Sequence, residues 1–190
     1  MPRAGLTAAA VTDLALSVVD EVGWAELTLS AVASRAGVAV PSLYKHVAGL
    51  PALRAAVAAR CVDELGTALD AAVHGRTGQD ALWHLAVATR AYALASPGRY
   101  RAVQGADAAG LGEAAEHPAA VVAHAVEQVG APQERWVDAV RAVRASVHGF
   151  VELELAGGFG MPEDVEVSFR YLVDTLVAGL RREAGRVGLS

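Results

Sequence analysis

The sequence predicts an all-α chain of about nine helices, with three short ones grouped at the N-terminus as a helix-turn-helix. Three observations predict it. Alanine, leucine, arginine and glutamate are abundant while aromatics make up only 5%, and these residues favour helix when propensity is summed over windows. Apolar residues recur at steps of three and four, the period of one helical face. Thr, Pro and Gly stand where helices start and stop, and alternating β-branched stretches are hard to find.

Thr7 is placed to cap a first helix whose apolar positions Val11, Leu14, Ala15, Val18 and Val22 share a face, with Gly23 ending it. Thr28 caps a second helix of two turns through Ala36, and Gly37 supplies a residue free to take positive φ. Pro41 suits the first turn of a third helix, reaching about Val47. Gly49-Leu50-Pro51 breaks the chain before a long fourth helix to about Ala72.

His74-Gly-Arg-Thr-Gly78 reads as a loop, with Thr77 and Asp80 as cap and reciprocal partner for a fifth helix ending near Ser96-Pro97-Gly98. Residues 97 to 103 add a turn or two, and 104 to 117, rich in Gly, Ala and acids, reads as a mobile loop. Pro118 opens a seventh helix to Gly130 and Pro132 an eighth to about Ala156. Pro162 opens the last, ending around Ala184.

The chain has 190 residues, 16 Lys plus Arg and 21 Asp plus Glu, for a formal charge of −5. That length suits one domain, or two small ones, able to bury its own core. The charge excludes a uniformly basic chromatin-type protein, so any nucleic acid must be held by a local patch. Residues 1 to 60 carry five basic side chains (Arg3, Arg35, Lys45, Arg54, Arg60) and four acidic ones, about +1, leaving −6 for the rest. Cys61 is the only cysteine, which excludes an intramolecular disulfide and multi-cysteine metal sites, and a cytoplasmic home is expected. No uncharged run reaches the ~18 to 20 apolar residues of a membrane helix. The Ala-rich N-terminus is interrupted by Asp13 and closed by Asp20 and Glu21, so it reads as helix rather than secretory signal.

The informative stretch runs from Leu27 to Val47. Its spacing is that of two helices crossing steeply: Ala33 is small where the axes approach, Gly37 makes the turn, and Val32, Val38 and Leu43 plug the shared core. A helix so presented can enter the major groove, with Ser42, Tyr44, Lys45 and His46 as its polar heads.

Through Thr28, Val32-Ala33, Ala36-Gly37-Val38, Leu43-Tyr44, His46-Val47 and Leu53, the sequence resembles the tetracycline-repressor (TetR) family of bacterial transcription regulators. The stretch Val147–Gly160, with His148-Gly149-Phe150 inside it, looks like the C-terminal domain of one subgroup marked by that His-Gly-Phe motif. The resemblance implies an N-terminal helix-turn-helix DNA-binding domain over 1–50, a connecting helix over 51–72, and a helical ligand-binding and dimerisation domain over 73–190. It implies a homodimeric repressor released from operator DNA by a small hydrophobic ligand. Carried onto this chain, Val40, Pro41 and Ser42 begin the reading helix, while Tyr44, Lys45 and His46 take base- or backbone-contacting places. Ser30 stands at a base-reading place of the second helix.

Arg3, Arg35, Lys45 and Arg54 are the candidate phosphate partners. Two or three per protomer would give a slope of log affinity on log salt of about −4 to −5 for a dimer. For the ligand, Trp83, Val87 and Arg90 of the fifth helix and Trp136, Val140, Arg144 and His148 of the eighth offer an apolar surface with few polar anchors. Tyr92, Tyr100 and Phe159 read as core filler. For dimerisation the candidates are Ala145 and Gly149, which allow close helix approach, with Phe169, Val173, Leu176 and Leu180 of the last helix.

The six histidines show no metal spacing. Gly157-Gly158-Phe159-Gly160 reads as a helix stop, not a phosphate loop. Ser146, His148 and Glu152 do not make a catalytic set, since i and i+2 positions diverge on a helix. No cofactor, metal, membrane or catalytic activity is implied. The rival reading is a helical protein-interaction module with a decayed DNA-reading motif. It is prompted by Ala39 where a capping Ser is common, Ser30 where an Arg can occur, and Leu50 where a phosphate-binding Lys is frequent.

Overall fold

The computed structural model describes residues 6–106 and 116–187, and every regular element among them is helical. The helices are α1 (Ala8–Val22), α2 (Leu29–Ala36), α3 (Val40–Leu43), α4 (Leu50–Val73), α5 (Gly78–Ala95), α6 (Pro97–Gln104), α7 (Glu116–Val129), α8 (Trp136–Leu155) and α9 (Val165–Val187), with a 3-10 turn at Gln133–Arg135. Two compact units divide the chain: one takes residues up to Glu64 and from Ala95 onward through α6, the other Leu65–Leu94 and everything from Glu116.

In the first unit the threonine caps do what their positions require. The Thr7 hydroxyl accepts from the Ala10 amide at 3.1 Å and the Thr28 hydroxyl from the Ala31 amide at 3.1 Å, satisfying donors that each helix start leaves open. Gly37, at φ +66°, ends α2 in the left-handed conformation that turns the chain toward α3. Val11, Ala15, Val19, Leu27, Val32, Leu43, Leu53, Val57 and the Cys61 thiol close one core, which Ala102 of α6 also enters.

Two expectations need correction here. Val38 is 37% exposed, not part of the shared core, because the left-handed turn at Gly37 swings it outward. The third helix is a single turn, Val40–Leu43, followed by turn conformation at Tyr44–His46. Ala39 makes no side-chain capping bond, and one turn is the costly nucleus of a helix with nothing after it to propagate. The amides of His46 and Val47 both donate to the Leu43 carbonyl, at 2.8 and 3.0 Å, and close that turn.

In the second unit α7, α8 and α9 pack on one another, each burying one stripe: Val122, Ala125, Val126 and Val129 from α7, Ala139, Val143, Val147 and Val151 from α8, Phe169, Val173 and Val177 from α9. α8 stops at Ala156-Gly157, where Gly157 has φ +68°. The last helix starts at Val165, three residues later than Pro162 suggests. The Asp164 carboxylate accepts from the Glu166 amide at 2.8 Å and so takes the capping position. Glu116 likewise starts α7 before Pro118, which sits in the first turn. Most of the expected loop over 104–117 lies outside the described residues.

Candidate nucleic-acid interface and effector unit

The outer surface of the helix-turn-helix follows from the geometry of its core. Leu43 points inward and is fully buried, so its neighbours Pro41, Tyr44 and Lys45 point out, Tyr44 at 59% exposure. Ser30 is exposed on α2, while Val40, Ser42 and His46 are half-buried beside it in the chain. A one-turn helix with these heads has the width and the donors to read base edges in a major groove.

The cations are distributed differently from expectation. Lys45 is exposed and makes no ion pair among the described residues. Arg35 is paired with Glu21 of α1. Arg54 is engaged within the protein: its Nη2 donates to the carbonyls of Ala25 at 3.1 Å and Leu27 at 3.3 Å, and its guanidinium lies over the Trp24 ring, 5.3 Å from the centroid. Arg3 lies outside the described residues.

In the second unit an aromatic cluster centres on Phe169, with ring centroids 5.1 Å from Phe150 and 6.0 Å from Trp83, and Phe150 lies 4.6 Å from Phe159. The Arg90 guanidinium sits 5.0 Å over the Phe169 ring and Arg170 lies 4.1 Å over Trp83. Arg90 donates through Nε and Nη2 to both Glu154 oxygens at 2.7 Å, and also pairs with Glu166. The bonds to Glu154 outweigh partial burial and raise its pKa above the usual arginine range, so it is permanently charged.

Of the expected ligand residues, Trp83 and Arg90 therefore come together at this cluster, with half-buried Val87 on the same face of α5 by spacing. Trp136, at 37% exposure, continues the inward stripe Ala139, Val143, Val147 and Val151 by spacing but stands exposed in the first turn of α8, and Arg144 is exposed at the edge of that stripe. Val140 and His148 are half-buried on its flank. Phe150 of the His-Gly-Phe motif joins the cluster, as do Glu154, Glu166 and Arg170, which are not among the sequence candidates. The one available signal was Arg90 itself, since a cation on an apolar helix face calls for a carboxylate.

Of the expected dimer residues, Phe169 and Val173 are buried within the protomer, at 0% and 1%, and cannot also face a partner. Ala145 is exposed, Gly149, Leu176 and Leu180 are half-buried, and a Cβ added at Gly149 would meet nothing within 4 Å. The large apolar side chains exposed on α8 and α9 are Trp136, Val137, Leu153, Val167 and Tyr171.

Among the described residues no group of His, Cys, Asp and Glu is placed to hold a metal ion, and no helix is long and apolar enough to cross a membrane.

Known proteins agree with this geometry. Residues 3–47 match the family model for bacterial regulatory proteins of the tetR family, and residues 82–176 match a tetracyclin repressor-like C-terminal domain. An uncharacterized HTH-type transcriptional regulator of Mycobacterium tuberculosis is 34% identical over 189 residues, 97% of this chain and 86% of that one. Another, from Bacillus subtilis, is 30% identical over 181 residues, 94% of this chain and 95% of that one. The crystal structure of a TetR from Acinetobacter baumannii in complex with minocycline superposes with a TM-score of 0.71 at 26% identity, covering 94% of this chain and 98% of that one. The chain belongs to the tetR family of bacterial transcriptional regulators, with a DNA-binding helix-turn-helix at its N-terminus and a ligand-binding domain at its C-terminus, and it is not an enzyme.

Proposed function

We propose that this regulator is a cytoplasmic, homodimeric repressor that leaves its operator when a small hydrophobic effector binds. In this reading residues 1–50 read DNA, 51–72 connect, and 73–190 bind effector and partner. The observation that carries it is the solvent-facing set Pro41, Tyr44 and Lys45 raised on a buried Leu43, with Ser30, Ser42 and His46 beside it. Lys45 meets phosphate, while Val40, Pro41 and Ser42 meet base edges.

The effector packs near Trp83, Val87 and Arg90, with Val140 and His148 as further walls. Arg90 is already satisfied by two carboxylates, so affinity comes mainly from apolar and ring contact. The likeness to a protein whose structure holds minocycline supports a small organic effector. Trp136 stands at the exposed start of α8, and the dimer uses the outward face of that helix, with Ala145, Gly149 and Leu153, joined by Val167 and Tyr171 on the outward face of α9. An effector can release DNA only by binding the DNA-free form better, and DNA must weaken the effector by the same factor.

Competition binding tests the reading. A labelled duplex from upstream of the protein's own gene is titrated against unlabelled copies of itself and of a shuffled sequence. Displacement only by the matching duplex is expected; equal displacement by both would favour the decayed-motif alternative.

A further inference from the structure

A half-buried arginine behind the helix-turn-helix suggests a positioning device. Arg54 reaches from α4 to the two carbonyls, Ala25 and Leu27, that lead into Thr28, the cap of α2. Its Nε is buried with no acceptor among the described residues, and its flat face lies over Trp24. The same indole is the seat of the end of α6: a Cβ added at Gly105 would stand 3.0 Å from Trp24 Nε1.

The other end of α6 is fixed as firmly. A Cβ at Gly98 would come within 2.4 Å of the Val19 carbonyl oxygen, so α6 starts in direct contact with the α1 backbone. Arg99 donates through Nε and Nη2 to the two Asp20 oxygens, at 2.8 and 2.6 Å, and through Nη1 to Glu64 at 2.8 Å. α6 is thus joined to α1 and α4 at one end and to Trp24 at the other.

We propose that Trp24 and Arg54 form a latch that sets the orientation of α2, and hence of the reading residues, according to how α6 is seated. Neither residue touches DNA; both are positioning residues for recognition. The chain of contact runs from Gly105 to Trp24, from Trp24 to Arg54, and from Arg54 to the backbone that enters α2. α6 follows α5 directly, so a displacement begun in the effector unit has a covalent route into this seat. The proposal rests on the DNA-reading function proposed above, and its first test is made without DNA.

Hydrogen exchange of the full-length protein is measured at the α2 amides in wild type, Arg54→Met and Gly105→Ala. Gly105 has φ −82°, so alanine is tolerated by the backbone and acts by pressing on the indole. Both variants should raise exchange in α2 by about tenfold, since the two carbonyls that lead into α2 lose or loosen their donor, while α7 to α9 stay unchanged. Trp24 emission, read in a Trp83→Phe/Trp136→Phe background, should shift in both. The second arm titrates the upstream duplex. Each variant should weaken binding by about tenfold at an unaltered salt slope, because no phosphate contact is lost, and the double variant should lose less than the product of the two. Arg54→Lys, a milder change, should fall between wild type and Arg54→Met. Unchanged α2 exchange would overturn the latch whatever the DNA result. A slope flattened by Arg54→Met would make Arg54 a phosphate contact, and losses that simply multiply would separate Gly105 from Arg54; either outcome rejects the proposal. Normal exchange effects with no specific DNA binding by wild type would instead reject the DNA-reading function.

Discussion

Arg90 of α5 grips both oxygens of Glu154 in α8 at 2.7 Å, while its flat face covers the buried ring of Phe169 in α9. Three helices far apart in sequence are tied at one guanidinium. Glu154→Gln should destabilise the protein by about 1–3 kcal/mol, less than for a fully buried pair because Glu166 remains. Urea unfolding followed by circular dichroism measures it. The raised pKa makes the sign clear: the contribution is complete below the ordinary arginine value and lost only as pH rises through the raised one. Between pH 5 and 9 the Arg90 contribution should therefore be flat, and Arg90→Met should lower stability equally across that window.

The salt dependence of operator binding should be weak. With Arg54 bound to carbonyls and Arg35 paired to Glu21, Lys45 alone gives two phosphate contacts per dimer and a log–log slope of about −2, reaching about −4 if Arg3 joins. Anisotropy titrations between low and moderate salt check this. Lys45→Ala should flatten the slope by about two, with equal loss on random DNA.

Ser42→Ala should narrow the gap between operator and random DNA without changing the slope, because a hydroxyl displaces no counterion. An equal loss on operator and random DNA would place Ser42 on the backbone instead.

The two faces of α9 should respond in opposite ways. Tyr171 is 75% exposed, so Tyr171→Glu should leave a folded protein that sediments at 19.5 kDa rather than twice that mass. Val173→Glu places an unpaired charge in the protomer's own core and should unfold the chain. A dimeric Tyr171→Glu protein would move the interface off this face.

Local rules made much of the fold legible. Thr7, Thr28 and Gly37 act within a few residues of themselves, and their caps and turn stand where the sequence put them. Elements that depend on competition between neighbours were less so: Asp164 displaced Pro162 as the start of α9, and α3 stopped at Leu43 with no cap at Ala39. The roles of Arg54, Arg90 and Phe169 could not be read from spacing. Arg54 and Arg90 are decided by partners 27 to 76 residues away and Phe169 by Trp83, Arg90 and Phe150 on two other helices, and the apolar stripe of α9 alone does not say which side faces its own core.

Footprinting of the region upstream of the gene tests the central claim most directly. A dimer presenting two copies of the Ser42–Lys45 surface should protect two inverted half-sites with centres one helical turn or a multiple apart, about 34–36 Å per turn. Lys45→Ala should erase both together. Protection of a single half-site, or of none at concentrations where the protein is dimeric, would contradict it.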